Sequence, residues 1–179
     1  LRVELAERLL EDDPGDVLAE RVLLQQHLDA IEYPTACAEA VRFVQDAPSQ
    51  DAADLVYSVL DHYASSADFL AARDGLAPLD LATDRAGLRL LALVEERAGD
   101  PRAALHRVLR APPRVVDDPE IAALRQRLLL QTGDVAGFAA EVFARRFESG
   151  FGLADGGASR ERFAAVLAAL RREPLSDGP

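Results

Sequence analysis

Residues 84–119 read DRAGLRLLALVEERAGDPRAALHRVLRAPPRVVDDP, and this stretch decides how the rest of the chain is interpreted. Apolar residues recur at helical spacing on both sides of a Gly-Asp-Pro turn at 99–101: Leu88, Leu91, Ala92 and Val94 before it, and Ala104, Leu105, Val108 and Leu109 after it. Glycine suits the position after a helix, aspartate caps the next one, and proline fits its first turn. The Ala-Pro-Pro run at 111–113 ends the second helix, because proline cannot continue a helix. The stretch predicts a helical hairpin that needs a neighbouring hairpin to cover its apolar faces.

The same pattern recurs along the chain with a period close to 34 residues. First helices of successive pairs are predicted to start near Asp16, Asp51, Asp84 and Asp118, and second helices near Pro34, Ala67, Asp100 and Asp134. Counted one by one, the predicted helices cover about 1–10, 16–29, 35–45, 50–64, 67–76, the two central helices, 119–131, 135–147 and 160–171. No stretch alternates as a strand does. The chain is therefore predicted to be all-α, with about ten helices.

Local signals refine three of these helices. Ser49 is a plausible cap for the helix at 50–64. The first central helix starts either near Leu79 or at Asp84, and the sequence leaves both starts open. In the helix at 16–29 we expect five side chains to face inward: Val17, Leu18, Val22, Leu24 and Leu28.

One continuous array is predicted over residues 1–172. A Gly-rich segment at 149–159 interrupts the period and is expected to be a flexible loop, and residues 173–179 are expected to be a disordered tail. Asp12-Asp13-Pro14 resembles Asp117-Asp118-Pro119, so the opening helix is interpreted as the second half of a truncated repeat. On this interpretation the chain is a segment of a longer array, with flanking repeats in the parent chain.

The residues of the central hairpin resemble the tetratricopeptide-repeat (TPR) family. Large and small residues fall where the family's motif has them: Leu88, Leu91 and Ala92 in the first helix, and Ala104, Val108 and Ala111 in the second. Glu95 differs, because an aromatic residue is usual at its position. The resemblance implies a right-handed α-solenoid of antiparallel hairpins, in which the first helices line a concave groove.

Transferring the family's groove positions gives a set of candidate partner-binding residues. They are His62, Tyr63, Arg89, Leu93, Glu96, Arg97, Arg127 and Gln131. The alternative is that these are ordinary solvated side chains. TPR domains that clamp a carboxylate through groove lysines are disfavoured as a parallel, because the chain has no lysine.

Charge bears on the class of partner. Residues 1–84 hold 18 acidic side chains and 5 arginines, a net charge of −13, whereas residues 85–179 have a net charge of +2. Nucleic acid and anionic membranes need clustered basic side chains, so both are disfavoured as partners. No apolar run approaches the ~20 residues of a membrane-spanning helix. A basic protein partner is allowed, although an acidic surface often serves only solubility.

No chemistry-bearing motif is recognised. His27, His62 and His106 are isolated in the sequence, and none belongs to a metal-binding motif. Cys37 lies on an apolar stripe and is interpreted as a small buried side chain. We therefore expect no catalytic, metal or cofactor site, and no cofactor.

The function that these observations favour is a non-catalytic scaffold that binds a protein or peptide in its groove, as a segment of a larger bacterial protein. Three alternatives stay open. One is a periplasmic scaffold of an exopolysaccharide export machine, which rests on analogy of fold alone. Another is a ligand-sensing regulatory domain of an enzyme or transcription regulator. The third is a structural spacer that binds nothing. The compartment is left open between cytoplasm and periplasm.

Overall fold

The computed structural model describes residues 2–148, and all regular structure in that range is helical. The helices in chain order are α1 (Arg2–Asp12), α2 (Val17–Asp29), α3 (Tyr33–Asp46), α4 (Gln50–Tyr63), α5 (Ser66–Leu76), α6 (Arg85–Arg97), α7 (Pro101–Arg110), α8 (Pro113–Val116), α9 (Pro119–Gln131) and α10 (Val135–Glu148). The prediction of an all-α fold is confirmed for these residues. The right-handed course of a solenoid stays a prediction.

Several predictions concern residues beyond this range. The loop at 149–159, the helix at 160–171 and the tail at 173–179 all lie outside the described residues. By contacts, the chain divides into a first unit, Leu1–Arg125, and a second unit, Gln126–Pro179, with the boundary inside α9. The extent of a single array over residues 1–172 therefore stays a prediction.

Helix starts follow the capping signals in the sequence. Ser49 caps α4 as predicted, since its side chain accepts a hydrogen bond of 3.1 Å from the backbone N–H of Ala52. Asp84 caps α6 by accepting a bond of 2.9 Å from the N–H of Gly87. The start that the sequence left open is therefore at Asp84.

The Gly-Asp turn predicted at residues 99 and 100 occurs a second time at residues 133 and 134. Gly99 and Gly133 have φ angles of 93° and 79°, in the left-handed region that glycine adopts without strain. The aspartate after each glycine then accepts a backbone hydrogen bond three residues on, at 2.9 Å for Asp100 and 2.8 Å for Asp134. The repeated Gly-Asp pair thus ends one helix and starts the next in both places.

The short helix α8 was not predicted. The run at 111–113 does end α7, as expected, but Pro113 also begins a new turn of helix, because its fixed φ fits a first helical position. Val115 of α8 is buried. The proline pair therefore separates two helices instead of leading into a plain loop.

In the first unit, α3, α4 and α6 each pack against three other helices. Helix α3 packs against α2, α4 and α5, and α6 packs against α4, α5 and α7. Helices α4 and α5 make few close backbone contacts with each other, although they are consecutive. They share a core cluster in which α3 and α6 lie against both of them, so this pair is not a closely packed hairpin of the kind expected.

Some residues on the predicted apolar stripes of α2 and α7 are exposed. Leu18 and Val22 of α2 were expected to face inward, but Leu18 is 71% exposed and Val22 also reaches solvent. Leu109 of α7 is exposed as well. A helix buries only the faces that have a neighbour, and no described helix covers these side chains.

Gly87 allows the closest backbone approach in this core. A Cβ atom built on Gly87 would lie 1.9 Å from the carbonyl oxygen of Leu81, in the segment between α5 and α6. That distance is far below van der Waals contact, and both atoms belong to backbone. The glycine is therefore needed for the linker to pass over the start of α6.

We expect Gly87→Ala to lower the free energy of unfolding by about 2–3 kcal/mol, because backbone has to move to admit the methyl group. Chemical denaturation followed by circular dichroism measures the change. Gly75→Ala in α5 is the matched control, since its new methyl would meet only side-chain atoms, Nε2 of Gln45 at 2.9 Å and Cγ1 of Val41 at 3.3 Å, and no backbone of another segment. The control should stay within about 1 kcal/mol of the wild type, because alanine also favours helix. Equal stability of the two variants would contradict this role for Gly87.

Candidate functional site

The predicted groove residues lie on three helices. His62 and Tyr63 end α4, while Arg89, Leu93, Glu96 and Arg97 lie on α6. Arg127 and Gln131 are exposed on the part of α9 that belongs to the second unit. The structure therefore brings together the candidates of α4 and α6, which pack side by side in the first unit.

Leu93 is a correction to this set. It is only 3% exposed and belongs to the core cluster of the first unit. Helix α6 is covered by α4, α5 and α7, so every residue from Leu90 to Glu95 is buried. Leu93 is therefore a core residue and does not reach the surface of the first unit.

Arg89 is held by groups from two other helices. Its Nη1 lies 2.9 Å from Oε2 of Glu120 at the start of α9 and 3.9 Å from Oδ1 of Asp54 on α4. Its guanidinium also lies over the ring of Tyr57, 4.4 Å from the ring centroid. A cation over an aromatic face is attracted by the negative charge density of the ring. Arg89 therefore connects α4, α6 and the first turn of α9.

Two further arginines of α6 extend this pattern. Arg97 lies 3.5 Å from Asp61 of α4. Arg85 lies 3.9 Å from Asp118 and 4.0 Å from Glu120. We name the seven residues the charge ladder: Asp54, Asp61, Arg85, Arg89, Arg97, Asp118 and Glu120. Its arginines, two of which were groove candidates, are already paired with carboxylates of neighbouring helices.

The aromatic candidate is packed at the end of α4. The ring of Tyr63 stacks on that of Tyr33, which begins α3, with ring centroids 5.2 Å apart. His62 Nδ1 lies 2.8 Å from the carbonyl oxygen of Ser58, so the proton it donates is on Nδ1. Both candidates remain exposed, and Glu96 of α6 is half-buried.

Glu95 is a buried charged residue that the sequence analysis did not include among the candidate site residues. It stands where the TPR motif usually has an aromatic residue, and it is buried. Its Oε1 accepts a hydrogen bond of 2.9 Å from Nε of Arg107 on α7. The sequence did contain a signal for this ion pair. Glu95 and Arg107 are twelve residues apart, on either side of the Gly99 turn, so an acid and a base lie on two paired helices. The departure from the motif is thus compensated by an ion pair within the hairpin.

A second buried acid lies near the other end of the first unit. Burial raises the pKa of Glu20 on α2 from its ordinary value of 4.5 to about 7, and the carboxylate of Glu39 adds to the rise. Arg42 and His27 oppose it. His27 itself lies 2.7 Å from Glu32 and 3.1 Å from Glu39. The hydrogen bond to Glu32 raises the pKa of His27 in turn.

Cys37 behaves as the sequence predicts. Its side chain is buried, and burial raises the pKa of the thiol to about 11. A thiol with that pKa is protonated near neutral pH and is a poor nucleophile. The interpretation of Cys37 as a small core residue is confirmed.

Neither a metal-binding cluster nor a membrane-spanning helix is found among the described residues. Residues 2–148 contain no cluster of three or more histidine, cysteine or acidic side chains arranged to hold a metal ion. Within the same range, no helix has the length and apolar character needed to cross a bilayer.

Removal of Arg89 tests the charge ladder. We expect Arg89→Ala to lower the free energy of unfolding by about 1–2 kcal/mol, since it removes a partly buried ion pair and a cation–π contact. Arg97→Ala should lower it by less than about 0.5 kcal/mol, because Arg97 is exposed and its pair is longer. Urea denaturation at low and high salt measures both. Arg102→Ala, on the exposed face of α7, is the control. Equal effects of all three variants would remove any special role for Arg89.

The pH dependence of stability tests the buried acid. The folded chain holds a proton on Glu20 up to about pH 7, whereas the unfolded chain loses it near pH 4.5. The stabilisation from this proton is therefore complete below pH 4.5 and is lost as the pH rises through 7. His27, whose pKa is also raised, contributes in the same direction.

We expect Glu20→Gln to remove most of this dependence. The variant should gain about 2–3 kcal/mol relative to the wild type at pH 8 compared with pH 4.5, since one pKa unit corresponds to about 1.4 kcal/mol. Thermal and urea unfolding across that range measure it. Glu7→Gln, on the exposed face of α1, should leave the profile unchanged. If the free energy of unfolding of Glu20→Gln changed with pH in the same way as that of the wild type, Glu20 would be ionised in the folded chain.

Comparisons of the chain with protein-family models, with curated proteins and with solved structures found no match. The resemblance to the TPR family therefore rests on the residues of the central hairpin alone.

Proposed function

We propose that this chain is a non-catalytic scaffold that holds a protein or peptide partner on the surface shared by α4 and α6. The observation that supports the proposal is the charge ladder. It joins neighbouring helices by ion pairs and a cation–π contact and so fixes the side chains of that surface before any partner arrives. A binding surface that is ordered in advance loses less conformational entropy when it binds.

The chemistry of the surface favours a basic segment as the contact. Asp54 and Asp61 are acceptors on α4, and Tyr57 and Tyr63 add aromatic faces beside them. Lysine and arginine side chains of a partner can share the carboxylates and also lie over the tyrosine rings. The net charge of −13 on residues 1–84 would draw such a partner from a distance.

Site-specific photo-crosslinking in an extract of the source organism tests the proposal. The photoreactive residue p-benzoylphenylalanine replaces Tyr63 in one variant and Arg102, on the exposed face of α7, in the other. We expect one protein to be captured from position 63 and not from position 102. Mass spectrometry then identifies it and its contact segment, which should be rich in basic residues.

Affinity measurements with the purified partner complete the test. Asp61→Asn and Tyr63→Ala should each weaken binding about 5–30-fold, corresponding to about 1–2 kcal/mol, and added salt should weaken it further. Arg102→Gln serves as the matched control and should bind as the wild type does. Equal capture from both positions, or affinities insensitive to Asp61 and Tyr63, would place the partner elsewhere or leave the surface without one.

A further inference from the structure

Helices α2, α6 and α9 end in the same hydrogen-bonded turn. In each, the second residue after the helix has a positive φ angle: 62° at Ile31, 93° at Gly99 and 79° at Gly133. The backbone N–H of the following residue then donates to a carbonyl oxygen five positions earlier, over 2.8–2.9 Å in all three turns. Glycine is the usual residue at this position, because it has no Cβ atom to oppose a left-handed conformation. Ile31 is therefore the exception among three equivalent helix ends.

Ile31 is strained at this position and is not compensated by the core. The left-handed conformation brings a Cβ atom close to the next carbonyl oxygen, and a β-branched side chain adds to the crowding. The side chain of Ile31 is 71% exposed, so packing within the first unit offsets little of that cost. Backbone strain that the fold does not need is characteristic of positions with a role in binding. The observation points to a contact made by the exposed isoleucine outside the fold.

Two tyrosines lie at the same end of the first unit. Tyr33 begins α3 two residues after Ile31, so the chain between the two Cα atoms spans at most about 7 Å. Tyr63, at the end of α4, stacks on Tyr33 with ring centroids 5.2 Å apart. The two side chains are 36% and 40% exposed. We name Ile31, Tyr33 and Tyr63 the apolar patch, which continues the surface of α4 and α6 through Tyr63.

The charges around the apolar patch are acidic. No arginine lies within five residues of its three members along the chain, whereas Asp29, Glu32 and Asp61 do. Asp29 and Glu32 are exposed, and the basic group next to Glu32 is His27, at 2.7 Å. A second copy of this chain would bring like charges together around the patch, which is unfavourable. A cationic partner has the complementary charge.

We propose that the apolar patch receives a large apolar side chain of the partner, from a segment that also carries lysine or arginine. This assignment rests on the proposed partner surface of α4 and α6, and it adds an apolar anchor to the basic contact. The anchor covers Ile31 and the stacked tyrosine rings, while neighbouring cations of the segment reach Asp29 and Glu32. Apolar contact at the centre excludes water from the ion pairs around it and so strengthens them.

Ile31→Gly separates this role from a structural one, because its effects on stability and on binding have opposite signs. Glycine relieves the strain, so the melting temperature of the variant should rise by about 2–4 °C. The affinity for the partner captured from position 63 should fall at least tenfold, since the buried isoleucine side chain is lost from the interface. Thermal unfolding followed by circular dichroism and isothermal titration calorimetry with the purified partner measure the two effects.

A polar variant and a matched control complete the comparison. Ile31→Asn also suits the left-handed conformation, so it should fold normally and bind at least tenfold more weakly than the wild type. Leu109→Asn makes a similar change on α7, where Leu109 is 56% exposed and lies outside the apolar patch. This control should keep the wild-type affinity.

Photo-crosslinking from position 31 tests the contact directly. p-Benzoylphenylalanine in place of Ile31 should capture the same protein as it does in place of Tyr63. The captured segment should hold a large apolar residue beside lysine or arginine. The same photoreactive residue in place of Leu109 should not capture that protein.

The outcomes distinguish this inference from the proposed function. Capture from position 63 but not from position 31, or wild-type affinity of both Ile31 variants, would overturn the apolar anchor and leave the surface of α4 and α6 in place. Capture from neither position would overturn both. A melting temperature of Ile31→Gly at or below that of the wild type would show that Ile31 is not strained, and the anchor would fall. Self-association of the wild type that Ile31→Asn abolishes would assign the patch to a second copy and overturn the proposal as well.

Discussion

Burial of α6 on most of its circumference is the constraint on which the first unit depends. Six consecutive residues, Leu90 to Glu95, are inside, which is possible only because α4, α5 and α7 lie against three sides of the helix. A helix that is apolar nearly all round must be enclosed, since any uncovered face would expose large apolar side chains to water. The close passage of Leu81 over Gly87 completes this enclosure at the N-terminal end.

This enclosure also decides what α6 can present at the surface. The residues of α6 that are not buried are Arg85, Arg89, Glu96 and Arg97. Long arginine side chains suit these positions, because their stems pack along apolar surface while their charged ends reach out to carboxylates. The candidate site is therefore a row of paired charges on closely packed helices, not an open apolar groove.

The sequence predicted what depends on neighbours along the chain. Helix positions, the caps at Ser49 and Asp84 and the Gly-Asp turns are set by residues within four positions of one another, so they can be found without knowing the fold.

Burial was predicted less well, because it depends on which helices meet. Leu90 and Val94 of α6 are covered by α4 and α5, whereas Leu18 on a similar stripe of α2 has no described helix against it. Leu93 was assigned to a surface for the same reason, since its burial is a property of packing. Arg89 is partly buried and Arg97 is exposed, and their partners on α4 and α9 lie at least 31 residues away along the chain.

The charge ladder adds a kind of information that apolar packing lacks. Burial of leucine, valine and alanine is not directional, so a helix that slid by one turn along its neighbour would recover much of the same contact. Ion pairs depend on the alignment of the helices. Arg97 contacts Asp61 and Arg89 contacts Glu120 in one alignment only, because a slip of one helical turn moves the partners about 5.4 Å apart. The order of charge is alternating as well, with acids on α4, arginines on α6 and acids at the start of α9. Each exposed pair contributes little to the free energy of folding. A helix that slipped by one turn, however, would separate the acids of α4 from their arginines and would remove Arg89 from the ring of Tyr57. The charge ladder therefore favours one alignment of the helices over others in which apolar packing is similar. The same residues that carry the proposed partner surface therefore also fix the register of the helices beneath it.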